Sequence, residues 1–404
     1  MTRVFTYICG DGGPYDEFNP FKVTRQNYVP EILFLLNQEP LSENELSSKL
    51  AIDVKLVNKL LSDLFRINAV VKRSGRWHIS FPVFNKKDIH LIAERTKKHA
   101  LELADEIMKK ESEIKRNLAQ LSCAKQVEMN KIMFAVIGCF ILDWKGLEVL
   151  NEKDLTLCSR KQQPGGRRYV LLGREEGIDN SLYDKMYWGS HSDRFGKIVF
   201  TSFGDHTGYR YAFPDLVWNI TTLISYQKEE GEHSNWFKTK IKEAFSILQI
   251  NSVVELGRIL LLLNNDGPMD VSQLSEKLNK EKGQCEELLK FLADMKYVSL
   301  AEEKAKLSYP VFSVRDKASI EAIWKILSKS VEMVACTCFD SLRTELAEIT
   351  PIQRGIDPRE IYTDVWHWIF GGANKIMAER GFLFDPPKER EGEGRYISWI
   401  EEVG

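Results

Sequence analysis

The feature that most constrains this chain is that it is written twice. The stretch Pro40-Leu-Ser-Glu-Asn-Glu-Leu46-Ser-Ser-Lys-Leu50 recurs as Pro268-Met-Asp-Val-Ser-Gln-Leu274-Ser-Glu-Lys-Leu278, and the offset of 228 holds without a gap from Pro40 to Phe84. Thirteen of those 45 positions are identical, among them Leu60/Leu288, Leu61/Leu289, Leu64/Leu292 and the closing Pro82-Val-Phe84/Pro310-Val-Phe312. Identity at that density, placed on the leucines, reads as an internal duplication, which must be recognised before any fold is assigned.

The likeness continues outward. Val4-Phe5-Thr6 with Gly13 and Phe18 answers to Val199-Phe200-Thr201 with Gly208 and Phe213, now at an offset of 195. Arg168-Tyr169-Val170 with Glu175-Glu176 answers to Arg395-Tyr396-Ile397 with Glu401-Glu402. Copy one therefore spans roughly residues 1–180 and copy two 197–404, with about 33 extra residues around 220–250 in the second, the difference of the two offsets. Gly177 to Phe195, rich in Gly, Ser and Asp, reads as the linker.

Within copy one, Glu31 to Asn37 reads as a short apolar helix stopped before Pro40. Ser42 and Glu45 stand at capping-box spacing, which starts a second helix ending near Leu50. Asp53 caps a third helix carrying Leu56, Val57, Leu60, Leu61 and Leu64 on one stripe. Two extended runs around Ser74-Gly75 then predict a β-hairpin with a basic tip. Three helices followed by a basic hairpin resemble the winged helix-turn-helix domains of MarR-like and ArsR-like bacterial regulators, over Val29–Phe84 and again over Val253–Phe312. The resemblance covers little more than a quarter of the chain and rests on element order and leucine placement.

This resemblance implies the organisation. Residues 1–27 form the first strand and loop, 28–85 the first winged helix and 86–180 a helical and small-sheet annex. Residues 181–250 hold the linker, a strand and an extra helix, 251–313 the second winged helix and 314–404 the second annex. The annexes open on long helices. Asn85 to Leu121 carries Ala93, Ala100, Ile107, Ile114 and Leu121 seven apart, with Ile89, Thr96 and Leu103 as the partner row, a heptad seam interrupted by Lys110 and Asn117. Ser319 to Ile349 carries Ile320, Ile323, Leu327, Val331, Val334, Leu342 and Leu346. A second apolar helix follows in each copy, Lys131 to Leu150 and Ile361 to Glu379. Helices flanking the winged domain build the dimer interface in MarR-like regulators, so the resemblance implies that the two copies pair inside one chain as a pseudo-dimer. The expected fold class is α+β, mostly helical.

A winged helix reads DNA with the outward N-terminal face of its third helix and touches phosphate with its wing. In copy one that face offers Val54, Lys55, Asn58, Lys59 and Ser62, and the wing Lys72, Arg73 and Arg76. Lys and Arg neutralise phosphate, and Asn58 can pair with a base edge. Copy two supplies Lys280, Lys282 and Gln284, but Glu286 and Glu287 replace Asn58 and Lys59, and Glu302-Glu303 replace Ser74-Gly75. Carboxylates facing phosphate weaken binding, so copy one is the expected DNA reader and copy two a candidate surface for a protein partner.

Other chemistries find less in the sequence. Cys336 and Cys338 invite comparison with a sensor thiolate pair, yet residues i and i+2 of a helix do not face each other, and copy one has no counterpart. His90 and His99 are nine apart, too far to share a metal, and His206 sits in a loop. Neither metal nor cofactor is expected. No P-loop, nucleophile elbow, HExxH or dinucleotide fingerprint is present, and Gly10-Asp11-Gly12-Gly13 lacks the helix signal a phosphate cradle needs, so no enzyme is expected. Aromatics gather at Tyr183, Tyr187, Trp188, Phe195, Phe203, Tyr209, Tyr211, Phe213 and Trp218, and again at Tyr362, Trp366, Trp368 and Phe370. They read first as core, with a small-molecule effector pocket beside the run from Tyr183 as the alternative.

Composition closes the frame. With 56 basic and 58 acidic residues the chain is no polycation, so a nucleic-acid surface has to be a local patch. The longest apolar run, Ile132 to Leu142, is eleven residues, too short to span a bilayer. The N-terminus shows no secretory h-region, and seven irregularly spaced cysteines suit a reduced interior. The sequence thus points to a cytoplasmic DNA-binding transcriptional regulator with double-stranded DNA as partner. Its rivals are a protein-interaction scaffold on degenerate winged helices and a regulator sensing a small molecule.

Overall fold

The computed structural model describes residues 2–218 and 253–404. The fold is α+β and mostly helical, and it divides into two compact units, each discontinuous in sequence. Unit 1 holds Met1–His99, Gly146–Asp179 and Glu332–Ile369; unit 2 holds Ala100–Lys145, Asn180–Val331 and Phe370–Gly404. The stretch 86–180 is therefore shared between them. The extra segment at 220–250 and the Leu342 side chain lie outside the described residues.

Unit 1 is built on β1 (Val4–Asp11), which pairs antiparallel with β6 (Arg167–Glu175) so that Cys9 faces Val170. Strand β4 (Val83–Phe84) runs parallel to β6 on its other side. Between β1 and β4 come α2 (Val29–Gln38), α3 (Glu43–Leu50) and α4 (Val54–Arg66), then the hairpin of β2 (Val70–Arg73) and β3 (Arg76–Ile79). The Ser42 hydroxyl accepts from the Glu45 N–H and the Glu45 carboxylate accepts from the Ser42 N–H, the reciprocal cap that starts α3. Leu46, Val57, Leu60, Leu61 and Leu64 pack against Ile32, Leu33 and Leu36 in one apolar core. At about 1.5–3 kcal/mol for each buried aliphatic side chain, that stripe is what fixes the register of α4.

Helix α5 (Lys86–Met108) opens on a second reciprocal cap, Asn85 with Asp88, and the Asp88 carboxylate also accepts from the Thr350 N–H at 2.9 Å. Its expected continuation to Leu121 is interrupted. The helix ends at Met108, the Lys110 N–H closes on the Ile107 carbonyl at 2.9 Å, and α6 restarts over Glu111–Leu118, burying Ile114 and Leu118. No Gly or Pro marks the break; it falls where Lys110 interrupts the partner row of the heptad.

The Gly10-Asp11-Gly12-Gly13 loop turns its oxygens inward. The buried Arg167 guanidinium donates to the Gly12 and Pro14 carbonyls and pairs with Asp16 at 2.5 Å, while Asn19 bonds the same loop carbonyls. Gly10 itself is obligatory. At φ +117° a Cβ there would stand 2.5 Å from the Arg168 carbonyl oxygen and 2.6 Å from that of Cys158.

Unit 2 repeats the strand plan. Strand β8 (Ile198–Gly204) pairs antiparallel with β13 (Tyr396–Glu402), and β12 (Val311–Phe312) runs parallel to β13. An additional strand, β7 (Gly189–Phe195), lies antiparallel to β8. The end of the segment expected as linker is therefore an edge strand. Its residues Gly-Ser-His-Ser-Asp-Arg-Phe alternate half-buried and exposed, and so polar a run carries no apolar strand signal. Helices α9 (Val253–Asp266), α10 (Val271–Leu278) and α11 (Lys282–Asp294) precede the hairpin of β10 (Val298–Ala301) and β11 (Lys304–Leu307). The apolar helix expected over Lys131–Leu150 runs from Met129 to Glu152 and is π-helical over Phe134–Lys145. There nearly every side chain is buried, and the Gly138 carbonyl accepts from Asn374 Nδ2 at 3.1 Å. The aromatics are core: Phe195, Phe200, Phe213, Tyr297 and Phe291 meet edge to face or tilted, with ring centroids 4.9–6.1 Å apart. Of the first aromatic run, Tyr209 and Trp218 are exposed, at 38% and 46%. Among the described residues, no helix is long and apolar enough to cross a membrane.

Candidate nucleic-acid interface

Asp53 starts α4 by accepting from the Lys55 N–H at 2.6 Å. With Val57, Leu60, Leu61 and Leu64 committed to the core, the helical period turns Lys55, Asn58, Lys59 and Ser62 to solvent on one face. Lys55, Asn58 and Lys59 make no side-chain hydrogen bond or ion pair among the described residues. The same holds for Arg73 at the tip of the hairpin, beside the turn residues Ser74 (φ 49°) and Gly75 (φ 79°).

The other two wing cations are engaged. Lys72 Nζ lies 2.5 Å from Glu43 Oε1, which also accepts from Trp77 Nε1 at 2.9 Å. Arg76 donates to Glu45 at 2.7 Å and to the Pro40 carbonyl at 2.7 Å. These contacts fasten the hairpin to α3, and the Phe65 and Trp77 rings, 6.2 Å apart edge to face, fasten it to α4. The carboxylates record the arrangement. The Lys72 hydrogen bond holds Glu43 below the ordinary carboxylate range. The Ser42 backbone N–H, then its hydroxyl and Arg76, bring Glu45 down to about 2. The pattern leaves Lys55, Lys59 and Arg73 as ready cations and Lys72 and Arg76 as cations held in reserve.

In unit 2 the corresponding face is different. Lys282 is the first residue of α11, and it and Gln284 are exposed; Lys280 precedes the helix, half-buried, its carbonyl accepting from Ser275 Oγ at 2.5 Å. Exposed Glu286 and Glu287 follow on α11. Glu302 and Glu303 form the hairpin turn, both left-handed at φ 51° and 62°. A groove of about 520 Å³ opens between α10, α11 and this hairpin, lined by Asp270, Glu286 and Glu303 together with Leu289 and the 57%-exposed Leu300.

The remaining candidates fall elsewhere. Cys338 is buried and Cys336 half-buried, and among the described residues no three His, Cys, Asp or Glu side chains are grouped to hold a metal ion. Two features had no sequence signal. One is the Glu43 and Glu45 partnership with the wing, across 29 and 31 residues of chain. The other is a contact between Cys9 and Cys158 within unit 1. No protein-family model, curated protein or solved structure matches the chain.

Proposed function

We propose that this chain is a DNA-binding transcriptional regulator built from two tandem winged-helix units, with the first carrying the main DNA contact. The observation that carries this reading is the outward face of α4, where Lys55, Asn58 and Lys59 stand unengaged at the helix start while the hairpin carrying Arg73 is fastened to α3 and α4. Unengaged cations meet phosphate without first losing a partner, and Asn58 can address a base edge in the groove. The duplicated plan is supported by the two sheets, each joining an antiparallel and a short parallel strand to one centre, β6 or β13. It is supported too by unit composition, since residues 332–369 of the second copy belong to unit 1 and 100–145 of the first to unit 2. That exchange is what a pseudo-dimer made from one chain requires.

A second reading is favoured for unit 2 by the groove of Asp270, Glu286 and Glu303 around Leu289 and Leu300. Three carboxylates on an apolar floor suit a basic, amphipathic protein segment better than a phosphate backbone. The test is binding of the full chain to random-sequence duplex DNA at two salt concentrations, beside a Lys55→Ala/Lys59→Ala/Arg73→Ala variant. Salt-sensitive binding that the variant loses supports the regulator. No binding even at low salt overturns it and leaves the protein-partner reading.

A further inference from the structure

Cys9 and Cys158 stand 149 positions apart in the sequence, on β1 and in the loop leading to β6. The close approach of the Gly10 backbone to the Cys158 carbonyl draws that loop against β1, and the Leu157 N–H bond to the Arg359 carbonyl, at 3.2 Å, fixes its far side. The two thiols are hydrogen-bonded to each other. Around Cys158 the hydroxyls are close: Thr363 Oγ1 lies 2.9 Å from its sulfur, and Thr156 Oγ1 lies 2.6 Å from Thr363 Oγ1 and accepts from the Cys158 N–H at 3.2 Å. Cys158 is 8% exposed and Cys9 half-buried, so the pair borders solvent on the Cys9 side.

We propose that Cys9 and Cys158 are an oxidisable dithiol whose co-reactant is a hydroperoxide, with Cys158 as the attacking sulfur and Cys9 as the resolving one. The Cys158 thiolate attacks one oxygen of the peroxide. The O–O bond breaks, and the departing hydroxide takes up a proton as water, leaving a sulfenic acid on Cys158. The Cys9 sulfur then attacks the Cys158 sulfur, the S–O bond breaks, and the leaving hydroxide takes the Cys9 proton as a second water. Two thiols lose two electrons, the peroxide gains them, and a disulfide ties β1 to the loop before β6. This chemistry is independent of the DNA reading and stands or falls without it.

The assignment of roles follows from the hydrogen bonds. The Cys9 thiol and the Thr156 and Thr363 hydroxyls together, aided by the nearby His367, outweigh burial and lower the Cys158 thiol to about 7. Burial pushes the Cys123, Cys139, Cys285 and Cys336 thiols the other way. At pH 7 half of such a thiol is ionised against about 3% of an ordinary one. Reduced nucleophilicity takes back roughly fivefold of that fifteenfold gain, leaving about a threefold rate advantage. The more telling readout is the pH at which reactivity rises.

The experiment is oxidation of the full chain with hydrogen peroxide, followed by alkylation of the remaining thiols and peptide mapping. The expected first product is the Cys9–Cys158 disulfide, formed at a rate whose pH midpoint lies near 7. In Cys9→Ser the reaction stops at a sulfenic acid on Cys158 that a cyclic 1,3-dione traps; in Cys158→Ser no disulfide forms at Cys9. The proposal is overturned if both thiols stay alkylatable while Cys336 oxidises. A pH midpoint at about 8.5, that of an unperturbed thiol, overturns it equally. The wild-type mapping needs no substitution, so a variant that fails to fold leaves the test intact.

Discussion

If unit 1 binds DNA as proposed, removing two acids from α3 should tighten that binding. The substitution is Glu43→Gln with Glu45→Gln. Glutamine at position 45 keeps the reciprocal cap with Ser42, since the capping box accepts either residue, so α3 is retained while two carboxylates lose their charge. Lys72 and Arg76 are then released. Their side chains are 44% and 48% exposed, so each lost ion pair is a weak one and the fold gives up little when the acids are removed. With three ready cations the slope of log K against log salt is about −2.7, and with five about −4.5, at roughly −0.9 per neutralised phosphate. At low salt the affinity should rise, by up to about 30-fold. Fluorescence anisotropy on a labelled random duplex across a salt series reads both quantities, and adding Lys72→Ala and Arg76→Ala should return the slope to its starting value. An unchanged slope and affinity in the glutamine variant would refute the claim that these cations face phosphate.

Further predictions concern the fold. Gly146→Ala sets a Cβ 2.7 Å from Trp366 Nε1, whose ring is fully buried; the overpacking cost of about 1–3 kcal/mol outweighs the roughly 1 kcal/mol that alanine gains in a helix. The melting temperature should fall by roughly 2–4 °C, and a rise would show that the indole yields. Burial pushes the Glu401 carboxyl up to about 7 against the Trp399 Nε1 bond at 3.0 Å. Its neutral form therefore favours the fold fully below the unfolded carboxyl value of about 4.3, and that stabilisation is lost as pH rises through 7. Glu401→Gln should raise the unfolding free energy read by urea titration at pH 8, by about 1–3 kcal/mol, and leave it unmoved at pH 4; equal effects at both would sink the titration argument. At the second hairpin, Glu302→Asn/Glu303→Gly suits the left-handed turn and should stabilise by about 1 kcal/mol, read by thermal unfolding. If unit 2 is a protein surface, the same variant loses the protein partner and gains little DNA affinity.

The parts of the fold legible in the sequence are those set by neighbours along the chain. The Ser42–Glu45 cap, the hairpin around Ser74-Gly75 and the α4 stripe of Val57, Leu60, Leu61 and Leu64 are decided within a dozen residues, and the structure places them as the spacing implied. Leu56, expected on the same stripe, is instead exposed at 36%, because it lies at the edge of the face that the other four commit to the core. What the sequence hid is set by distant partners. The heptad row of α5 keeps Ile107 and Ile114 buried on either side of the turn at Lys109–Lys110, and only Lys110, which interrupts the partner row, marks the place in the sequence. Strand β7 is polar because it is an edge, so its pairing with β8 shows only in three dimensions. At the candidate interface the face of α4 was readable from helical period alone. The pairing of Lys72 with Glu43 was not, since it depends on where the hairpin folds back.

That pairing changes what a basic wing means. Counting Lys72, Arg73 and Arg76 as three phosphate contacts treats the charges as equivalent, whereas the structure separates one ready cation from two already neutralised. The acids on α3 then have a role of their own. They hold the hairpin in place by exposed ion pairs, and on the proposed DNA-binding reading they lower its attraction to phosphate. In unit 2 the acids sit instead on α11 and at the hairpin tip, as the exposed Glu286, Glu287, Glu302 and Glu303. On the proposed reading one arrangement defers DNA contact and the other opposes it, and two sheets of the same strand plan differ in this by the placement of a few carboxylates.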